Sequence, residues 1–287
     1  MQAVFRHELR SYLHSLAAFL FAAFLLEFVG IGAMIYNIQA AVANFEYVLQ
    51  FVCIGMTVIV PVLTMKTLAE ERKQKTDRLL YSLPLTTTQV IVGKYLALLV
   101  VFLIPLCVIA TYPLIFSLYG SVSLLTAYGA LFAFFVMGAA LIAVGMFASS
   151  LTENQGFAAG IAIPVLLLNY YSVTLAEYVS ATAAGSLLAL TVLLVLVAAL
   201  VRFLTKSTLA SGAVLLVGIV ALIAVSIADS ASLEGLLPAV MEQFSLFERF
   251  YGFVNGVFDL TSIVFYLTVA VFFLFLSGQA LEKRRYN

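Results

Sequence analysis

The chain has 287 residues, of which 64% are hydrophobic and only 10% charged, and its formal net charge is zero. A soluble domain carries roughly 25% charged residues, and a water-soluble fold of this size must clothe its outside in polar groups. Lipid is therefore the expected solvent for much of the surface, and the charge balance gives no reason to expect a nucleic-acid partner.

Residues 1–14 place Phe5, Leu9, Tyr12, Leu13 and then Leu16 at helical spacing, with Arg6, Glu8, Arg10 and His14 elsewhere. That pattern predicts an amphipathic helix lying in the inner membrane interface, ahead of a transmembrane domain over 15–287. His7 and His14 have no Cys or carboxylate partners in metal spacing, so no metal is expected there.

A hydrocarbon crossing needs about 20 predominantly apolar residues. About eight stretches qualify, near 15–36, 48–67, 92–117, 123–149, 157–175, 183–203, 208–228 and 259–281. The expected fold class is an all-α polytopic membrane protein. Pro164, Asn169 and Tyr170 interrupt the fifth stretch, which leaves six or seven spans as alternatives. Cys53 and Cys107 sit inside apolar runs and read as small buried hydrophobes.

Glu27 falls about halfway along the first span. A carboxylate at mid-bilayer costs at least about 2.5 kcal/mol, and such residues usually face a bundle interior or an aqueous path. It is a candidate for contact with substrate or ion, or for a link across a dimer. The competing reading is a protonated side chain bonded to a neighbouring Ser, Thr or carbonyl.

Residues 68–91 form the one substantial loop on the expected inner side. Glu70 with Lys73 and Glu71 with Lys75 have helix-surface spacing, so the second span should continue as a charged helix. Leu79, Leu80 and Leu83 make an apolar cluster, Pro84 stops the helix, and Thr86 with Gln89 supplies a capping box for the third span. The result is a helix–Pro–helix elbow with charged flanks and an apolar tip, suited to docking a cytoplasmic protein. On the opposite side, residues 229–258 repeat Leu and Phe every three or four positions, which predicts short helices at the outer face.

Cations stay on the cytoplasmic side of membrane proteins. With the N-terminus inside and eight alternating spans, only Arg249 of the fourteen Lys and Arg falls outside. Both termini are thus expected in the cytoplasm.

No phosphate-binding loop occurs, because Gly93-Lys94 lacks the upstream glycine and follows Val-Ile-Val. Zinc-peptidase and serine-hydrolase signatures are also missing, so enzymatic activity is not expected. The stretch Ala69-Glu-Glu-Arg72, Thr76-Asp77, Leu79-Leu80, Leu83-Pro84, Val90 and Gly93-Lys94 resembles the signature of ABC-2-type ABC transporter permeases. Glu8-Leu9, the run Ser149–Gln155, the outer Phe244–Asp259 segment and Glu282-Lys-Arg-Arg285 agree with it, and the whole is similar to the gliding-motility branch.

The resemblance implies an exporter permease in a bacterial cytoplasmic membrane. It would pair with a second copy or a similar permease and with two cytoplasmic ATP-binding subunits; an outer-surface accessory subunit is a further candidate partner. The interface with the ATP-binding subunits would use Glu70, Glu71, Arg72, Lys75, Thr76, Asp77, Arg78, Leu79, Leu80, Leu83 and Pro84. ATP and Mg would be held by the partner, with no cofactor in this chain. The alternatives are an ion-coupled secondary transporter using Glu27, or a non-transporting membrane scaffold.

The cation asymmetry makes a direct prediction about topology. Single cysteines replacing Gln74 and Ser232, in a background lacking Cys53 and Cys107, should react with an impermeant reagent in intact cells at position 232 and not at 74. The reverse pattern overturns the orientation.

Overall fold

The structure is a computed structural model and describes residues 2–74, 86–178, 183–205, 207–228 and 235–285. It divides into two compact units, Met1–Tyr170 with Leu246–Arg285, and chiefly Tyr171–Ser245. In the first unit, α1 (Gln2–Leu13) precedes α2 (Leu16–Gly32), which runs on as a π-helical turn over Ala33–Gln39. Next come α3 (Glu46–Thr64), α4 (Lys66–Lys73), α5 (Thr87–Ile109), α6 (Thr111–Ser117), α7 (Leu124–Leu151) and α8 (Gln155–Tyr170). The unit closes with α13 (Glu248–Val254) and α14 (Leu260–Arg285).

Helix α7 is the hub. It is nearly all buried from Ala133 to Ser150, and α3, α4, α5, α6, α8, α13 and α14 pack around it. Its sequence explains this: Gly138, Ala139, Ala140, Ala143, Gly145 and Ala148 offer almost no side chain, so neighbouring backbones approach closely. A β-carbon at Gly138 would collide with the Phe102 ring, and one at Gly145 with the Thr64 hydroxyl. Around the hub, aromatic rings fill the wider gaps, with Phe102 edge-on to Phe21 and stacked on Phe135. Asp259 caps the start of α14: its carboxylate accepts from the Ser262 hydroxyl at 2.6 Å and from the Thr261 amide at 2.9 Å. Those bonds hold its carboxyl below the usual carboxylate range.

The second unit contains α9 (Ser172–Tyr178), α10 (Ala183–Thr205), α11 (Thr208–Ala228) and α12 (Leu236–Gln243). Helices α10 and α11 pack on each other, with Leu194 seated over Gly218.

Among the described residues, five helical stretches are long and apolar enough to cross a membrane: Leu16–Gln39, Glu46–Lys73, Thr87–Ser117, Leu124–Leu151 and Leu260–Lys283. Gln155–Tyr170 and Ser172–Tyr178 meet the same test only as a pair bent by 60°, a broken span or a re-entrant loop, at the interruption visible in the sequence. The expected sixth and seventh spans are helices α10 and α11, whose described apolar stretches, Gly185–Ala199 and Ser211–Leu222, are shorter. Short helices α12 and α13 occur within 229–258, where Leu and Phe periodicity indicates them.

One residue departs from expectation outright. Cys53 is buried, but Cys107 is exposed, because it shares the outward stripe of α5 with Leu103, Ile104 and Val108.

The glycine at 145 gives a stability test. Gly145→Val must push Thr64 and α3 away from α7 and should cost about 1–3 kcal/mol by overpacking. Gly160→Ala meets nothing within 4 Å and should be neutral or gain up to about 1 kcal/mol from helix propensity. Thermal unfolding of the detergent-solubilised protein, followed by circular dichroism, separates the two.

Candidate functional site

The charged helix α4 follows α3 after a break at Met65, whose amide still donates to the Pro61 carbonyl at 2.8 Å. The Ser149 hydroxyl of α7 enters this break. It accepts from the Leu68 and Ala69 amides, each at 3.1 Å, and donates to the Met65 carbonyl at 3.0 Å. One proton and two lone pairs are thereby all used. One turn on, the Arg72 guanidinium is buried and donates to the Ser150 carbonyl. The start of α4 is thus clamped to the last turn of α7.

On its other side α4 meets α1 and α5 around a buried cation. Lys94 is 1% exposed, and its ammonium donates to Glu8 Oε1 and to Glu71 Oε1, each at 2.7 Å. The nearly dry site makes both bonds short and charge-assisted. Next to it the Thr67 hydroxyl donates to the Thr64 carbonyl at 2.8 Å, so the bond of 2.9 Å between Thr67 Oγ1 and Tyr12 must be donated by the phenol. Burial pushes the Tyr12 hydroxyl well above its ordinary pKa and keeps it a neutral donor. Two contacts therefore hold α1 to α4, one ionic and one neutral.

The far side of the elbow is equally anchored. Thr86 Oγ1 accepts from the Gln89 amide at 3.3 Å and Gln89 Oε1 from the Thr86 amide at 3.4 Å, the expected capping box at the start of α5. The adjacent Thr87 hydroxyl donates to Glu282 Oε1 of α14 at 2.8 Å.

Of the residues singled out in the sequence, Glu71 and Arg72 lie in this cluster, while Glu70 accepts from Gln74 at 3.3 Å. The expected Glu70–Lys73 pair is not formed, since Lys73 is exposed in the last turn of α4. Lys75, Thr76, Asp77, Arg78, Leu79, Leu80, Leu83 and Pro84 lie outside the described residues. Glu8 does not share the polar face of α1 with Arg6 and Arg10; it turns inward because Lys94 is there. Lys94, Glu8, Tyr12 and Ser149 were quoted in patterns, but no local spacing marks them as a site.

Glu27 is exposed near the middle of the Leu16–Gln39 span, on a stripe with Leu20, Ile31, Met34 and Ile38. It makes no hydrogen bond with any described residue.

The chain belongs to the ABC-2 family of transporter proteins, whose profile matches residues 27–176. It is a multi-pass ABC transporter permease. A comparison with curated proteins found no match.

The cluster predicts strong non-additivity. Lys94→Met leaves two carboxylates facing each other and should cost about 3–5 kcal/mol. Adding Glu8→Gln or Glu71→Gln should restore part of that loss in a double-mutant cycle on thermal stability. Ser149→Ala strands two amides and a carbonyl and should cost about 1–3 kcal/mol.

Proposed function

We propose that this permease is the membrane-spanning subunit of an ATP-driven exporter, working with separate ATP-binding subunits and a second copy of itself or a similar permease. Its termini and elbow lie in the cytoplasm. The observation that carries this reading is the anchoring of α4. The helix that leads into the Glu-Glu-Arg elbow is bonded to α1, α5 and α7 by Glu71, Thr67, Arg72 and the Ser149 clamp. A push on the elbow is therefore delivered to three helices at once. Stiff transmission of this kind is what a nucleotide-driven motor needs, and a passive topological anchor does not need it. The order of the cytoplasmic motif, the outer Phe244–Asp259 segment and the closing Glu282–Arg285 further support the gliding-motility branch.

Glu27 belongs to the same reading. An exposed mid-span carboxylate that bonds to no described residue fits a contact across the permease pair or with the translocation path.

Two experiments test the proposal. Apolar side chains buried in a partner cleft contribute about 1.5–3 kcal/mol each, while exposed ion pairs contribute about 0–1 kcal/mol. Leu79→Ser with Leu80→Ser should therefore release the ATP-binding subunits on affinity purification while the permease stays in the membrane. Reversing Arg72 is unsuitable, because it would break the clamp; Arg78→Glu should weaken the complex less and chiefly at low salt. Copurification of the double serine variant at wild-type yield removes the elbow as docking site. Glu27→Gln should change substrate-stimulated ATPase activity with assembly intact, and unchanged stimulation and transport remove Glu27 from the mechanism.

A further inference from the structure

The charges on the exposed side of α1 are of one sign. Arg6 and Arg10 are both exposed, and at 100° per residue they lie about 40° apart. The helix's only carboxylate, Glu8, points the other way and is engaged by Lys94. Beside this stripe, on the flank carrying Phe5, a groove of about 300 Å³ opens between α1, α5 and α7. Apart from Gln2, its walls are apolar: Phe5, Leu96, Leu99, Val100, Leu103 and Phe135. Along α5 the groove runs for about 10 Å, at 1.5 Å per residue from Leu96 to Leu103, on the face of the helix away from Lys94 and into the span. Gln2, at the edge of the groove, lies one helical turn before Arg6 on the same face, so a cation stands beside the groove's rim.

A cationic rim that gives onto an apolar slot parallel to a spanning helix matches one kind of molecule. Its head must be anionic and its tail a hydrocarbon chain running in the direction of the bilayer normal. A soluble anion would leave the slot unused, and a neutral lipid would leave the cations unused. A partner helix would be too wide, since a helix with side chains measures about 10–12 Å across. We propose that this groove and the Arg6–Arg10 stripe together bind an anionic glycerophospholipid of the leaflet in which α1 lies, with one acyl chain along Leu96–Leu103. This assignment rests on the interfacial placement of α1 in the reading above, but not on the ATP-binding partner or on which side of the cell α1 faces.

The occupied site has a consequence for α1. The helix is held to the bundle by Glu8 and Tyr12 on one side, and a bound lipid fastens the opposite edge to the membrane. Juxtamembrane cations each gain about 1 kcal/mol near an anionic surface, so two acting on one headgroup should produce at least about tenfold selectivity over a zwitterionic lipid.

The test uses the full-length chain in neutral detergent, with lipid retention measured by native mass spectrometry. Phosphatidylglycerol should be retained at a concentration at least about tenfold lower than phosphatidylcholine with the same chains. Arg6→Gln with Arg10→Gln should abolish that preference, and Arg6→Lys with Arg10→Lys should keep it. Leu103→Trp fills the slot at a half-exposed position and should weaken phosphatidylglycerol binding at an unchanged melting temperature; Leu99→Phe is the second groove variant if that temperature falls. Glycerol 1-phosphate should not displace the lipid. Equal retention of the two lipids, wild-type retention in both groove variants, or full displacement by glycerol 1-phosphate would each overturn the proposal. None of these readings requires an ATPase, so their failure leaves the transporter assignment untouched.

Discussion

The Lys94 ammonium, nearly dry and shared by two carboxylates, is the constraint around which the charged end of the bundle is organised. A buried cation without a partner is intolerable, so Lys94 dictates where Glu8 and Glu71 must be. Glu8 fixes the rotation of α1, and Glu71 fixes the rotation of α4. With α4 so oriented, Arg72 faces the end of α7 and the Leu68 and Ala69 amides face Ser149. The orientation of the interfacial helix and of the arm leading to the elbow thus follows from one charge on α5.

A single ammonium serves both carboxylates. Glu71 is the more exposed of the two, at 25% against 13% for Glu8. Water therefore screens the α4 arm of the pair more than the α1 arm, and the α1 contact is the firmer. A motion of α4 strains the Glu71 bond first, while the Tyr12–Thr67 bond still carries the motion to α1.

The architecture was largely legible in the sequence because its cause is local and cumulative: twenty apolar residues in a row must span, whatever they pack against. The Thr86–Gln89 capping box was legible for a similar reason, since its partners are three residues apart. The cluster was not. Lys94 and Glu8 are separated by 86 positions, Ser149 and Leu68 by 81, and no spacing rule reaches so far. The choice between Glu70 and Glu71 illustrates the limit. Both have helix-surface partners in sequence, and only the placement of α5 turns Glu71 inward. Cys107 fails in the opposite sense: an apolar run shows that a residue is in the membrane but not which way it faces.

The two tight contacts on α7 carry a mechanical implication. Gly138 and Gly145 are seven residues apart on the same side of the helix, about 10 Å in rise, and each receives a side chain from a neighbouring helix, Phe102 from α5 and Thr64 from α3. They act as detents. Sliding α7 by one residue would drive Met137 or Ala139 against the ring and Val144 or Met146 against the hydroxyl, which opposes shear among these three helices. Relative motion is easier for the less buried helices at the periphery of this triplet. Among those is α2, the helix that bears Glu27.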